Sequence, residues 1–373
     1  MIERNIIALI KSETNKKKAI VILGARQVGK TTVLNHLFGE KEKVVFLNGD
    51  EPDTKGLLTG ANSMQLTQLF SNYNIIVIDE AQMIPNIGIV MKRITDYLSD
   101  KRLFVSGSSA LELANTINEP LTGRKFEFIL YPLSFQEMVK HHGLINEKRM
   151  LHTRLIYGYY PEIVTNQGQE IKLLKGLAGS YLYKDILSFG QIKKPVVLDK
   201  ILKLLAHQVG SEVSYLELSR NVGVDKETIE RYIDLLEKAF IIFRLNALSG
   251  NARNEIKKGK KIFFHDNGIR NALIGNFLPW EQRTDKGALW ENFIISERIK
   301  KTSYDGFYGN HYFWRTRQQQ EIDLIEEVDG LFRVFEFKVN PHKAVKIPLT
   351  FSKSYKVSSS KTISPNNLDE ILL

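Results

Sequence analysis

The chain has 373 residues, with 52 Lys and Arg against 42 Asp and Glu for a formal charge of +10, and 43% of it is hydrophobic. That composition excludes intrinsic disorder and collagen-like or low-complexity chains, and the length suits about two to three domains. The absence of cysteine excludes a disulfide-stapled secreted fold, a zinc-thiolate site and a cysteine nucleophile, so any metal must be held by oxygen or imidazole.

The opening residues carry only one short apolar run, Ile6 to Ile10, too short for the core of a secretion signal. Other apolar stretches, such as Ile75 to Ile78, are strand-sized and far below the roughly 18 residues that cross a bilayer. The expectation is a soluble, cytoplasmic protein with no membrane partner. Its basic balance favours, without requiring, a polyanionic partner such as DNA.

From Lys17 to about Tyr131, short β-branched runs alternate with helical patterns: Ala19–Leu23, Val44–Leu47, Ile75–Ile78, Leu103–Val105 and Phe126–Leu130. Near-continuous apolar runs of this length suit strands buried on both faces, and their alternation with helices predicts a mainly parallel α/β sheet.

The first strand runs into Gly24-Ala25-Arg26-Gln27-Val28-Gly29-Lys30-Thr31-Thr32, which fills every fixed position of G-x-x-x-x-G-K-[ST]. Gly24 and Gly29 permit a loop whose amides point inward at phosphate oxygens, and the following helix adds the positive end of its dipole. Lys30 would reach the β- and γ-phosphates of ATP, and the Thr31 hydroxyl would ligate Mg²⁺. The run Ile75-Ile76-Val77-Ile78 ends in Asp79 and Glu80, placing one acid to hold the magnesium through water and one to act as general base on the attacking water. A third strand, Leu103–Val105, ends in Ser106-Gly107-Ser108-Ser109, where Ser106 or Ser108 would position the γ-phosphate or the lytic water beside Asp79.

Together GARQVGKTT, IVIDEAQ, SGSSA and LTGRKFEFILYPLSFQE resemble the AAA+-type P-loop ATPases of bacteria and archaea that carry a C-terminal nuclease-like domain. The resemblance extends over nearly the whole chain through YLYKDIL (Tyr181–Leu187), the segment YLELSRNVGVDKETIERYIDLLEKAFIIFRL and FFHDNGIRNAL (Phe263–Leu273). It implies ATP and Mg²⁺ as cofactors and maps a recurring Gly-Arg pair onto Arg124. An arginine suits the charge that develops on a transferring phosphoryl group. Three roles stay open for Arg124: action in cis, action from a neighbouring subunit of a homo-oligomer, or a structural ion pair.

Beyond Leu151 the period turns helical. Ser214–Asn221, the turn Val222-Gly223-Val224 and a helix opening at Asp225 read as helix-turn-helix, with Phe240–Phe243 as the wing strand of a winged helix. In the second of these helices Asp225, Glu227 and Glu230 offset Lys226 and Arg231, which favours a structural or subunit-contact role over direct DNA reading. Ser249 to Lys261 lacks apolar periodicity and is expected to be a linker or mobile loop.

The last region is expected to hold a helix around Trp290–Lys300 and strands at Tyr312–Arg315, Glu321–Glu326 and Leu331–Val339, the last two joined by a tight turn at Asp329-Gly330. Glu336 and Lys338 then share a strand face while Phe335 and Phe337 point the other way. Asp323 on one strand with Glu336-x-Lys338 on its partner resembles the PD-(D/E)xK nuclease core. In that core the carboxylates hold Mg²⁺ and the lysine orients a water or stabilises phosphorane charge. Glu291 matches the additional acid of that fold.

The expected organisation is an AAA+ P-loop ATPase core at 1–150, a helical region with a winged helix-turn-helix at 151–248, and an α/β restriction-endonuclease-like domain at 262–373. Its expected work is ATP hydrolysis coupled to binding or cleavage of nucleic acid. The alternative is a nucleotide-switched module that grips DNA or protein on an inactive nuclease fold.

Overall fold

The computed structural model describes residues 2–14, 17–39, 43–108, 121–181, 194–250, 259–342 and 346–373. Ser109 and residues 182–187 of the YLYKDIL stretch lie outside them. The chain divides into two compact units, one built chiefly on residues up to Leu133 and one chiefly on those from Ser134 onward.

In the first unit all five expected strands form and pair in parallel: β1 (Ala19–Leu23), β2 (Val44–Asn48), β3 (Ile75–Asp79), β4 (Arg102–Gly107) and β5 (Lys125–Ile129), in the order β2-β3-β4-β1-β5. Strand β1 is buried along its whole length between β4 and β5, which explains why AIVIL contains no polar residue. Val21, Ile78 and Val105 pack with Ile87, Met91 and Ile94 of the helix Ile87–Tyr97. Parallel strands bring their carboxyl ends to one edge of the sheet, and there the chain turns out of β1, β3 and β4 into polar residues.

The boundary of this unit falls at Leu133 rather than at 150. The helix Phe135–His142 opens with a reciprocal capping box between Ser134 and Glu137, and the Phe135 amide donates to Glu297 Oε2 at 2.6 Å. A backbone N–H paired with a buried carboxylate from the C-terminal third ties this helix to the second unit.

The second unit holds a seven-stranded sheet in the order β12-β11-β10-β9-β7-β8-β6, with β6 (Glu212–Val213), β7 (Ile242–Ala247), β8 (Lys260–Phe264), β9 (Asn310–Arg315), β10 (Glu321–Val328), β11 (Leu331–Phe337) and β12 (Val357–Ile363). The helices Tyr215–Val222 and Lys226–Lys238 flank Gly223, and Asp225 caps the second by accepting from the Thr228 amide at 2.6 Å. Strand β7 follows, and β8 pairs antiparallel with both β7 and β6.

Two expectations are corrected here. Lys260 and Lys261, expected in a linker, begin β8; two consecutive lysines break the apolar pattern of a strand, but Lys261 buries its charge against acids rather than presenting it to water. The sheet also crosses the line drawn at 248 and 262, since β7 pairs in parallel with β9 at Asn246↔Tyr312 and Ala247↔Phe313. The Asp329-Gly330 turn forms as expected, with φ of 51° and 75° at its two residues, and Val328 pairs with Leu331 across it. Among the described residues no helix is long and apolar enough to cross a membrane.

His265 and Asp266 are packing and turn elements: Asp266 caps the helix Asn267–Leu273 by accepting from the Ile269 amide and also accepts from the Tyr159 amide at 2.6 Å. His265 lies against the Phe243 ring, and burial, with the Lys300 ammonium adding to it, lowers its pKa from 6.5 to about 3. Between those values the unfolded chain binds a proton that the folded state excludes. The stabilisation is therefore complete above about pH 6.5 and is lost as the pH falls toward about 3. Denaturant unfolding of the native chain should show a loss of about 2 kcal/mol between pH 7.5 and 5 from this group. His265→Met should flatten that difference.

Candidate functional site

The loop from β1 to the helix Lys30–Phe38 is held by close packing and by left-handed backbone. A side chain at residue 24 would place its Cβ 2.2 Å from the Leu130 carbonyl oxygen, so only glycine allows the loop to leave β1 beside the end of β5. Gln27 (φ 60°) and Gly29 (φ 97°) both sit in the left-handed region on either side of Val28, the alternation that curls successive amides into a concave nest. Lys30 is buried, and its ammonium donates to the carbonyls of Gly24 (3.0 Å) and Ala25 (2.9 Å), which places it over the mouth of the loop.

Across the sheet edge, the Thr31 hydroxyl donates to Asp79 Oδ2 at 2.6 Å. A hydroxyl and a carboxylate in contact at this edge form a hard-oxygen pair of the kind magnesium takes, so the residues fit the ion the motif implies. Ser106 is fully buried; its hydroxyl donates to Asp79 Oδ1 and accepts from the Glu80 amide at 3.3 Å. It holds the Asp79 carboxylate against the start of the Glu80 turn. Glu80 sits at φ 48° and ψ 43°, an uncommon region for a residue with a side chain. Its carboxylate accepts from Gln82 Nε2, which also donates to Ser108 Oγ at 2.9 Å. Gln82 is thus a candidate site residue that motif matching passed over, although it stands inside IVIDEAQ. Arg124 Nε donates to Asp96 Oδ1 at 2.6 Å at a half-exposed position.

In the second unit, Leu324 pairs with Phe335, so Asp323 comes opposite Glu336. The Lys338 ammonium spans both acids, 3.3 Å from Asp323 Oδ2 and 3.0 Å from Glu336 Oε2, and the Phe337 amide donates to Asp323 Oδ2 at 2.7 Å. The expected triad is therefore assembled. Burial, with the like charge of Asp323 added, raises the Glu336 carboxyl to about 7, and Glu336 Oε1 is buried without a hydrogen-bond partner. Burial works against charge on Lys338 too, but Asp323 and Glu336 outweigh it and hold its pKa above the usual range.

Glu291 departs from the expected arrangement. Its Oε1 accepts from Lys261 at 2.9 Å, and the same ammonium reaches Glu321 at 2.6 Å. Among the described residues no group of three or more His, Asp or Glu side chains is arranged to hold a metal ion. The expected cage of Glu291, Asp323 and Glu336 is thus not preformed: each outer acid faces a lysine. Burial raises the Glu291 carboxyl to about 7 against the pull of Lys261, with Asp323 and Glu321 adding like charge. The polar run before Lys261 gives no local sign that this lysine lies in a strand between two acids.

Residues 16–139 match the family described as AAA domain, residues 148–279 a domain of unknown function (DUF8612), and residues 286–370 a second domain of unknown function (DUF4143). The first unit carries an AAA-type P-loop ATPase domain. The Walker-type ATPase of Pyrococcus abyssi superposes with a TM-score of 0.50 at 15% identity, over 74% of this chain and 96% of that one, a likeness of fold. An uncharacterized protein of Mycobacterium tuberculosis is 26% identical over 339 residues, 90% of this chain and 73% of its own length. One of Haemophilus influenzae is 26% identical over 366 residues, 90% of this chain and 87% of its own.

Removing one partner of a buried ion pair strands the other charge. Lys261→Met should therefore lower unfolding stability by about 3 kcal/mol at pH 8, and adding Glu291→Gln should recover part of that loss. Denaturant titration of the single and double variants measures both, and equal stability of the two would show that Lys261 and Glu291 are not coupled.

Proposed function

We propose that the chain is a Mg²⁺-dependent ATP hydrolase. The observation that carries this reading is the contact of Thr31 with Asp79 beside the buried Lys30, at the edge of the sheet where the nest-forming loop opens. The loop amides and Lys30 would bind the phosphate tail and hold the charge that spreads over the γ-phosphoryl oxygens. Thr31 and Asp79 would hold the magnesium that arrives with ATP, which would supply charge neutralisation for the phosphate tail. Glu80 would take the proton of the attacking water, so that water oxygen bonds to the γ-phosphorus as the bond to the ADP oxygen breaks. Gln82 would fix the direction of the Glu80 carboxylate. Lys30→Ala should abolish nucleotide binding, whereas Glu80→Gln should bind ATP and lose at least about a hundred-fold in turnover. Calorimetry and phosphate release measure the two, and normal turnover in either variant refutes these roles.

For the second unit we propose a winged helix-turn-helix, made of the helices Pro195–His207, Tyr215–Val222 and Lys226–Lys238 with β6, β7 and β8, on a nuclease-like sheet that engages nucleic acid under control of the ATPase. The assembled Asp323, Glu336 and Lys338 support a cutting role. The pairing of Lys338 with both acids and of Lys261 with Glu291 favours the second reading, in which this unit grips DNA or protein without cutting. Incubation with supercoiled plasmid, Mg²⁺ and ATP separates them: cleavage that vanishes in Asp323→Ala supports the first, and salt-sensitive binding without cleavage supports the second.

A further inference from the structure

Arg4 lies before the first helix (Ile6–Glu13) and outside the segment that matches the AAA domain, yet it reaches the phosphate-binding loop. Its side chain is buried. One guanidinium nitrogen, Nη1, donates to the Val28 carbonyl at 2.7 Å, and the other, Nη2, donates to the Tyr131 carbonyl at 2.6 Å. The rigid fork of the guanidinium thus links the loop after β1 to the chain leaving β5.

The Val28 carbonyl and the Gly29 amide belong to one peptide unit. Because that unit is planar and trans, its oxygen and its hydrogen point in opposite directions. Holding the oxygen toward Arg4 therefore turns the Gly29 N–H away from Arg4 and into the nest. Gly29 itself offers little resistance to rotation, since at φ 97° a glycine moves easily between backbone wells. Val28 is fully buried, so water cannot replace a lost donor to its carbonyl.

We propose that Arg4 is a positioning residue for nucleotide binding: by anchoring the Val28 carbonyl it sets the Gly29 amide against the phosphate tail. The inference rests on the ATP reading of the loop given above. An amide contact of this kind is made with ADP and ATP alike and before as well as during the reaction, so its loss removes uniform binding.

The test compares native chain, Arg4→Met and Arg4→Lys, with ADP binding followed by calorimetry and steady-state ATP turnover measured in parallel. Arg4→Met should weaken ADP binding by about ten-fold or more and raise the KM for ATP by a similar factor, with kcat changed less than about three-fold. Arg4→Lys, which can reach one carbonyl at a time, should fall between. A purely structural arginine would instead lower the active fraction, which reduces apparent kcat at unchanged KM, and that result overturns the proposal. So does ADP affinity in Arg4→Met equal to native. If Arg4→Met does not fold, the same split is read from Arg4→Lys. Failure of the native chain itself to bind ADP or ATP would sink the nucleotide reading and this inference together, whereas tight native binding with an indifferent Arg4→Met sinks only the inference.

Discussion

A carbonyl shut away from water needs a donor, and around the loop from Gly24 to Thr32 that requirement arranges the chemistry. Curling the backbone so that amides face one way sends carbonyls the other way, toward protein. The oxygens of Gly24 and Ala25 are met by Lys30 and that of Val28 by Arg4. Cations that a phosphate would attract are thus first used to hold the loop in shape. The strands serve the same end: β1 lies between β4 and β5, which brings Asp79, Ser106 and the loop to a single edge.

The second unit is organised differently, by charges taken into its interior in matched sets. Glu147 meets Arg154 and Tyr159, Glu297 meets Lys300 and the Phe135 amide, and Arg298 meets Glu326. Ion pairs of this kind contribute little net stability compared with apolar packing, because desolvation offsets attraction. They do penalise any other arrangement of the chain, since each misplacement would strand a charge. The carboxylates beside Lys261 and Lys338 continue this pattern, and Glu336 keeps one buried oxygen without a hydrogen-bond partner.

Much of this was legible in the residues. All five strands of the first unit were readable because burial on both faces leaves runs such as AIVIL and IIVID, and the loop was readable because few residue types tolerate its backbone. Asp329-Gly330 announced its hairpin, and the period of two placed Glu336 and Lys338 together. Arg4 and Lys261 were not legible: each is a charge whose partners lie far along the chain, and nothing local distinguishes a lysine that will be buried between acids from one that will face water. The boundary at Leu133 was hidden for a related reason, because the capped helix that follows it is committed by a contact with Glu297 from the distant C-terminal third.

The parallel pairing of β7 with β9 has a consequence for how the chain could be dissected. Cutting at residue 262, as the break in composition invites, would remove β6 and β7 and leave β9 with an open row of backbone donors and acceptors, including the Phe313 carbonyl that now accepts from Leu248. An isolated C-terminal fragment would expose an aggregation-prone margin. Strands β6 to β12 form one sheet, so the residues on either side of 262 are a single piece of architecture.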